Sequence, residues 1–147
     1  MGKIEISFCV PGEPGAKGRP RFSSYGGYVH SYTPKDTANY ENLVKVMYLE
    51  AAEGRRFEDD EPLCITIDAL FPIPKSFSKK KRNDALMDAI RPIVKKDFDN
   101  IAKAVCDALN NVAYKDDSRI VAATVTKRYS DTPCVLVKIS SWGLPTN

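Results

Sequence analysis

Apolar and polar residues alternate along KIEISFCV, residues 3–10, which is the period of a half-buried strand. The pattern breaks at PGEPGAKGRPRF, a stretch so dense in glycine and proline that it predicts a loop. RFSSYGGYVHSY predicts a small hairpin turning at Gly26-Gly27. From Pro34 to about Gly54 the apolar period changes: Tyr40, Leu43, Val44, Met47, Tyr48 and Ala51 form one helical stripe behind a helix-starting proline. PLCITIDALFPIP, residues 62–74, predicts a strand stopped by its own prolines. SKKKRNDALMDAI, residues 78–90, predicts a helix capped by Ser78. A further helix is predicted from near Asp99 to Asn110, burying Ile101, Val105, Ala108 and Leu109. AYKDDS is a turn, and RIVAATVTKRYS and PCVLVKISSW are two closing strands. Strand, hairpin, helix, strand, two helices and two strands predict an α+β fold, a mixed sheet with helices packed on one face. At 147 residues the chain is expected to form a single domain over 1–147.

Charge changes this picture more than composition does. The net charge of +3 hides an asymmetry. Residues 73–96 carry eight bases (Lys75, Lys79, Lys80, Lys81, Arg82, Arg91, Lys95 and Lys96) against Asp84 and Asp88. Five aspartates follow between positions 97 and 117. A basic stretch running into an acidic cluster suits a polyanion held beside bound metal, although a solvated lysine-rich face is the commoner meaning of such a run. Cys9, Cys64, Cys106 and Cys134 form no Cys-x-x-Cys pair, so zinc is not expected and free, buried thiols in a reducing cytosol are. The lone His30 excludes any mechanism that needs two histidines. No apolar run approaches the roughly 20 residues of a membrane span, and the N-terminus reads as a first strand, so a cytoplasmic protein without membrane attachment is expected.

The candidate chemistry centres on Asp97-Phe98-Asp99. In an extended segment both carboxylates would project together while Phe98 turned to the core. Two such carboxylates repel unless a cation lies between them, and magnesium takes one or two carboxylates plus waters and phosphate oxygens. Lys103, four residues after Asp99, falls on the same helical face and can stabilise a phosphoryl transition state. Asp116 and Asp117 stand at a turn where the chain can fold back. Each residue also has a plain structural role: Asp97 or Asp99 as a helix cap, Lys103 as an i,i+4 partner, Asp116-Asp117 as turn residues. An EF-hand fails on spacing, since loop positions six and twelve fall on Ala102 and Ala108. A haloacid-dehalogenase phosphatase would need threonine where Ile101 stands.

The segment KKDFDNIAKAVCDALNNVAYKDDSRIV resembles the signature of the RusA family of Holliday junction resolvases: Asp-x-Asp-Asn-x-x-Lys-x-x-x-Asp-Ala-Leu, then Asp-Asp. VPGEPGAKGRPRF resembles that family's proline-and-basic loop, and PKSFSKKKR the basic segment of its Gram-positive phage-type branch. The resemblance implies a RusA-like fold with catalytic Asp97, Asp99, Asp117 and Lys103, the three aspartates ligating Mg2+, for which Mn2+ would substitute. The turn before Asp117 is a residue shorter than in the founding member, which leaves Asp116 as an alternative third ligand. The resemblance further implies a homodimer, without organic cofactor, that nicks branched DNA in pairs during recombination and repair, in a phage or prophage setting. Lys17, Arg19, Arg21, Lys79, Lys80, Lys81, Arg82, Lys95 and Lys96 are the expected DNA contacts. The competing expectation is a DNA-binding module of a recombination system that lacks turnover.

Overall fold

The computed structural model describes residues 3–16, 21–25, 28–32 and 35–143. Strand β1 spans Glu5–Pro11, and a separate antiparallel hairpin is formed by β2 (Arg21–Tyr25) and β3 (Tyr28–Tyr32). Helix α1 (Lys35–Ala52), strand β4 (Leu63–Pro72), helices α2 (Lys79–Leu86) and α3 (Phe98–Leu109), and strands β5 (Ile120–Ser130) and β6 (Cys134–Ser141) complete the order. The main sheet runs β1-β6-β4-β5, with β4 and β5 parallel and the other neighbours antiparallel. This is the mixed sheet of an α+β fold.

Alternation within the strands decides which face is covered. Ile6, Phe8 and Val10 of β1, Ile65, Ile67 and Ala69 of β4, and Val135, Val137 and Ile139 of β6 are buried together. They pack against Val44 and Tyr48 of α1 and against Ile101, Val105, Ala108 and Leu109 of α3. Phe8 and Tyr48 meet edge to face, 5.8 Å between ring centres. Burying a side chain of this size contributes about 1.5–3 kcal/mol, so the two helices are held on the sheet chiefly by this layer. The predicted stripe on α1 is accordingly core, with Tyr40, Leu43, Met47 and Ala51 partly buried at its margin. Most apolar residues of 64–71 and 135–142 belong to this core, while Leu136 and Trp142 stay exposed. The opposite face keeps Ser7, Cys9, Thr66, Asp68, Leu136 and Lys138 around a shallow cavity, with Asp68 clamped by Arg128 at 3.0 Å and by the Thr126 hydroxyl at 2.9 Å.

Two local expectations need correction. The helix expected over 78–90 ends at Leu86, because it is polar nearly all round and buries only Ala85, so no packing extends it. Its cap is as expected: the Ser78 hydroxyl accepts the Lys81 N–H at 3.1 Å. The cysteines are free, but Cys9 is exposed and the other three are partly buried, since Cys9 falls on the uncovered face of β1. Gly26, Gly27 and Pro34 lie outside the described residues.

Candidate active site

Helix α3 builds one wall of the site. Its buried stripe turns Ile101, Ala104, Val105, Ala108 and Leu109 inward, and with 3.6 residues per turn Phe98, Asp99, Ala102, Lys103 and Cys106 fall on the adjoining face. These five line a groove of about 460 Å3, closed by Asp117 and floored by Ala123 and Val125 of β5. Asp99, Lys103 and Asp117 therefore share one groove although 18 positions separate the aspartates. Asp97 does not line it. That residue is the N-cap of α3, with extended backbone (φ −65°, ψ 148°), and its carboxylate makes no capping bond.

The geometry corrects the expectation for Phe98. Because α3 begins at Phe98, Asp97 and Asp99 are not two-apart on a strand, and Phe98 is 63% exposed instead of buried. Lys103 is 61% exposed and points forward to the Asp107 carboxylate at 3.8 Å. Cys106 also faces the groove, but burial pushes its thiol up to about 11, against a Tyr114 hydrogen bond that lowers it. With that shift it is a neutral lining group at neutral pH.

Asp117 is placed by a short 3-10 turn, Asp117–Arg119, after the bridge between Asn110 and Tyr114. Its N–H donates to Asn110 Oδ1 at 2.9 Å. The buried Tyr114 donates its hydroxyl to the Cys106 carbonyl at 2.8 Å, which ties this turn to α3. Burial raises the Asp117 pKa, the neighbouring Asp116 and Asp107 carboxylates raise it further, and Lys103 opposes them. Asp116 differs: its carboxylate caps the turn, accepting the Ser118 N–H at 3.0 Å, and its pKa is lowered first by the Ser118 hydroxyl and then by that backbone bond. The two aspartates that the sequence left interchangeable are thereby distinguished, with Asp117 in the groove and Asp116 in the turn. Asn110, Asp107 and Phe98 were not singled out from sequence as parts of a site. The Asp-Ala-Leu-Asn run held the signal for the first two, at helical spacing from Lys103.

Among the described residues no three His, Cys, Asp or Glu side chains stand close enough to form a metal cage by themselves. The groove nonetheless offers two hard carboxylates, Asp99 and Asp117, beside open space, the donor set with which magnesium is held when waters and substrate phosphate complete its shell.

The basic residues fall into distinct groups. Lys79, Lys80, Lys81 and Arg82 are exposed on α2, which packs on β5, the strand that floors the groove. Lys81 also lies over the Phe77 ring at 4.3 Å. Lys95 is exposed. Lys96, expected as a DNA contact, adopts φ 78° and turns inward, donating to the Pro14 carbonyl and pairing with Glu13 at 3.3 Å. Gly15 meanwhile lies against the Tyr40 ring, where a Cβ would clash. Together these contacts tie Glu13, Pro14 and Gly15 to Lys96 and to Tyr40 of α1. Lys17 and Arg19 of that loop lie outside the described residues, as do the side chains of Arg21 and His30.

Among the described residues no helix is long and apolar enough to cross a membrane. Residues 11–140 match the family model described as Endodeoxyribonuclease RusA. The chain is also 41% identical over 138 residues to the uncharacterized protein YqaN of Bacillus subtilis (strain 168), covering 91% of this chain and 94% of that protein. The groove of Asp99, Lys103 and Asp117 falls within the matched span, and the chain belongs to the RusA endodeoxyribonuclease family.

Proposed function

We propose that the chain is a Mg2+-dependent, structure-selective endonuclease that cuts four-way and other branched DNA junctions by paired phosphodiester hydrolysis, acting as a homodimer in the cytoplasm of a bacterial or phage-infected cell. The observation that carries this reading is the convergence of Asp99, Lys103 and Asp117 on one groove in a chain of this family. Asp99 and Asp117 would hold the metal, with Asp97, the N-cap of α3, as the third candidate ligand. Magnesium bound there supplies Lewis acidity toward a phosphate oxygen and lowers the pKa of its water. Mn2+, with the same preference for oxygen donors, is the expected substitute.

The protein's own groups do the rest. The Lys103 ammonium, paired with Asp107 at 3.8 Å, would stabilise negative charge growing on the phosphoryl oxygens. Asn110 fixes the backbone of Asp117. Lys79, Lys80, Lys81, Arg82 and Lys95, together with Lys17, Arg19 and Arg21, would hold the phosphates of the junction arms. Lys96 acts instead by holding the loop that carries Lys17 and Arg19.

A synthetic four-way junction incubated with the protein, with and without magnesium, tests the reading. Paired nicks that appear only with the metal and vanish in Asp99→Asn are expected. Binding without nicks under every metal condition would instead identify a DNA-binding module that lacks turnover.

A further inference from the structure

Phe98 lines the groove that holds the two carboxylates, and it does so while 63% exposed. Helical phase places it at the border between the buried stripe and the groove face, three residues before Ile101, the first buried residue of α3. The segment leading to it is tied down rather than free to fold the ring inward. Lys127 Nζ donates to the Val94 carbonyl at 2.9 Å, and the Asp97 carbonyl accepts the Ile101 N–H at 3.0 Å.

The groove has two chemically distinct parts. Asp99, Lys103 and Asp117 suit a phosphate held through a bound cation, whereas Phe98, Ala102, Ala123 and Val125 form an apolar slot beside them. A nucleotide has the same two parts, a phosphate and a flat base, and about 460 Å3 lies within the range of small-ligand sites. In continuous duplex the base faces are stacked on their neighbours and unavailable. At the crossover of a branched junction a base can leave the stack at lower cost.

We propose that Phe98 stacks on an unpaired base next to the scissile phosphate, and that this contact makes the groove select branched over continuous duplex DNA. The proposal rests on the reading of the groove as a junction-cutting site. An aromatic platform suits the task because every base presents a π face, so the contact selects structure without reading sequence.

The test uses the full chain and junctions carrying 2-aminopurine, a fluorescent base sensitive to stacking, at the crossover. Binding is measured without magnesium, cutting with it. Loss of one base–aromatic stack lowers affinity on the order of ten- to a hundredfold. Phe98→Ala is therefore expected to lose that much affinity for the junction, keep its affinity for duplex, and differ from wild type in the emission of the bound junction. Phe98→Leu, which keeps apolar bulk without a π face, should behave as Phe98→Ala, and Phe98→Trp as wild type. Melting temperatures equal to wild type check that the fold is intact. If wild type cuts junctions but Phe98→Ala keeps the wild-type junction-to-duplex ratio and emission, the stacking role is overturned alone. If wild type neither binds nor cuts junctions, the reading of the groove falls with it.

Discussion

The backbone N–H of Asp117 donates to the Asn110 side-chain oxygen at 2.9 Å, joining the turn after α3 to the end of that helix. Asn110 is the C-cap of α3 and also bridges to Tyr114, so a single residue sets where the helix stops and where the aspartate begins. Asn110→Ala should leave junction binding intact, raise the magnesium concentration needed for half-maximal cutting, and lower the cutting rate by about ten- to a hundredfold, as small misplacements of catalytic groups do. Metal titrations of both proteins check it. An unchanged metal requirement would make Asn110 a cap and nothing more.

The carboxylates themselves give a sharper result. Asp→Asn at Asp97, Asp99 or Asp117 keeps size and removes charge, so cutting should fall by orders of magnitude while the fold and junction binding persist. For Asp117 a stability effect is also expected. Burial holds its folded pKa above the usual carboxylate value, so the folded state holds the proton longer, and stability from this group is lost as pH rises through that window. Without metal, Asp117→Asn should therefore melt higher than wild type at neutral pH and show no such gain below the unfolded pKa. Magnesium should abolish the difference by stabilising wild type alone. Melting curves at the two pH values, with and without metal, decide it.

Lys103 tests the division between binding and turnover. On the proposed mechanism its charge acts more in the transition state than in the ground state, so Lys103→Ala should lower the cutting rate more than the affinity. Lys103→Arg should not restore the rate, because a planar guanidinium cannot occupy the point of the ammonium. Equal losses in binding and rate would make it a simple phosphate contact.

The exposed start of α2 can be weighed against salt. Each neutralised phosphate contributes a slope of about −0.9 in log affinity against log salt on duplex DNA. Replacing Lys79, Lys80 and Lys81 together by alanine should flatten the slope by roughly two to three units. Since Lys96 is already engaged with Pro14 and Glu13, Lys96→Ala should change the slope less than Lys95→Ala.

Paired cutting needs two sites, and one chain supplies one groove. Two-fold dimers are the commonest oligomers and would face two grooves toward one junction. Mixed dimers of wild type and Asp99→Asn should nick one strand and seldom both. Paired cuts by a protein that sediments as a monomer at every concentration would refute the dimer.

The periodicities of the chain determined its elements, because a core of Ile65, Ile67, Val105 and Val137 tolerates only one phase of strand and helix. Motif spacing and the family resemblance likewise pointed to Asp97, Asp99, Lys103 and one of Asp116 and Asp117 as a candidate site. Tertiary structure decided the remainder. Whether Phe98 is core or surface depends on where α3 starts relative to the sheet, and one residue of shift in that start turns an alternating strand pair into a helical turn. Whether Asp116 or Asp117 faces the groove depends on the Asn110 bond and the Ser118 cap, contacts across a turn that no local pattern encodes. Lys96 looked like its neighbour Lys95 in sequence, yet its left-handed backbone aims it at a loop some eighty residues away in the chain. Local periodicity is written in the phase of apolar residues, whereas these outcomes were fixed by particular contacts: a cap and a bond across one turn for the aspartates, and a bond to distant Pro14 for Lys96.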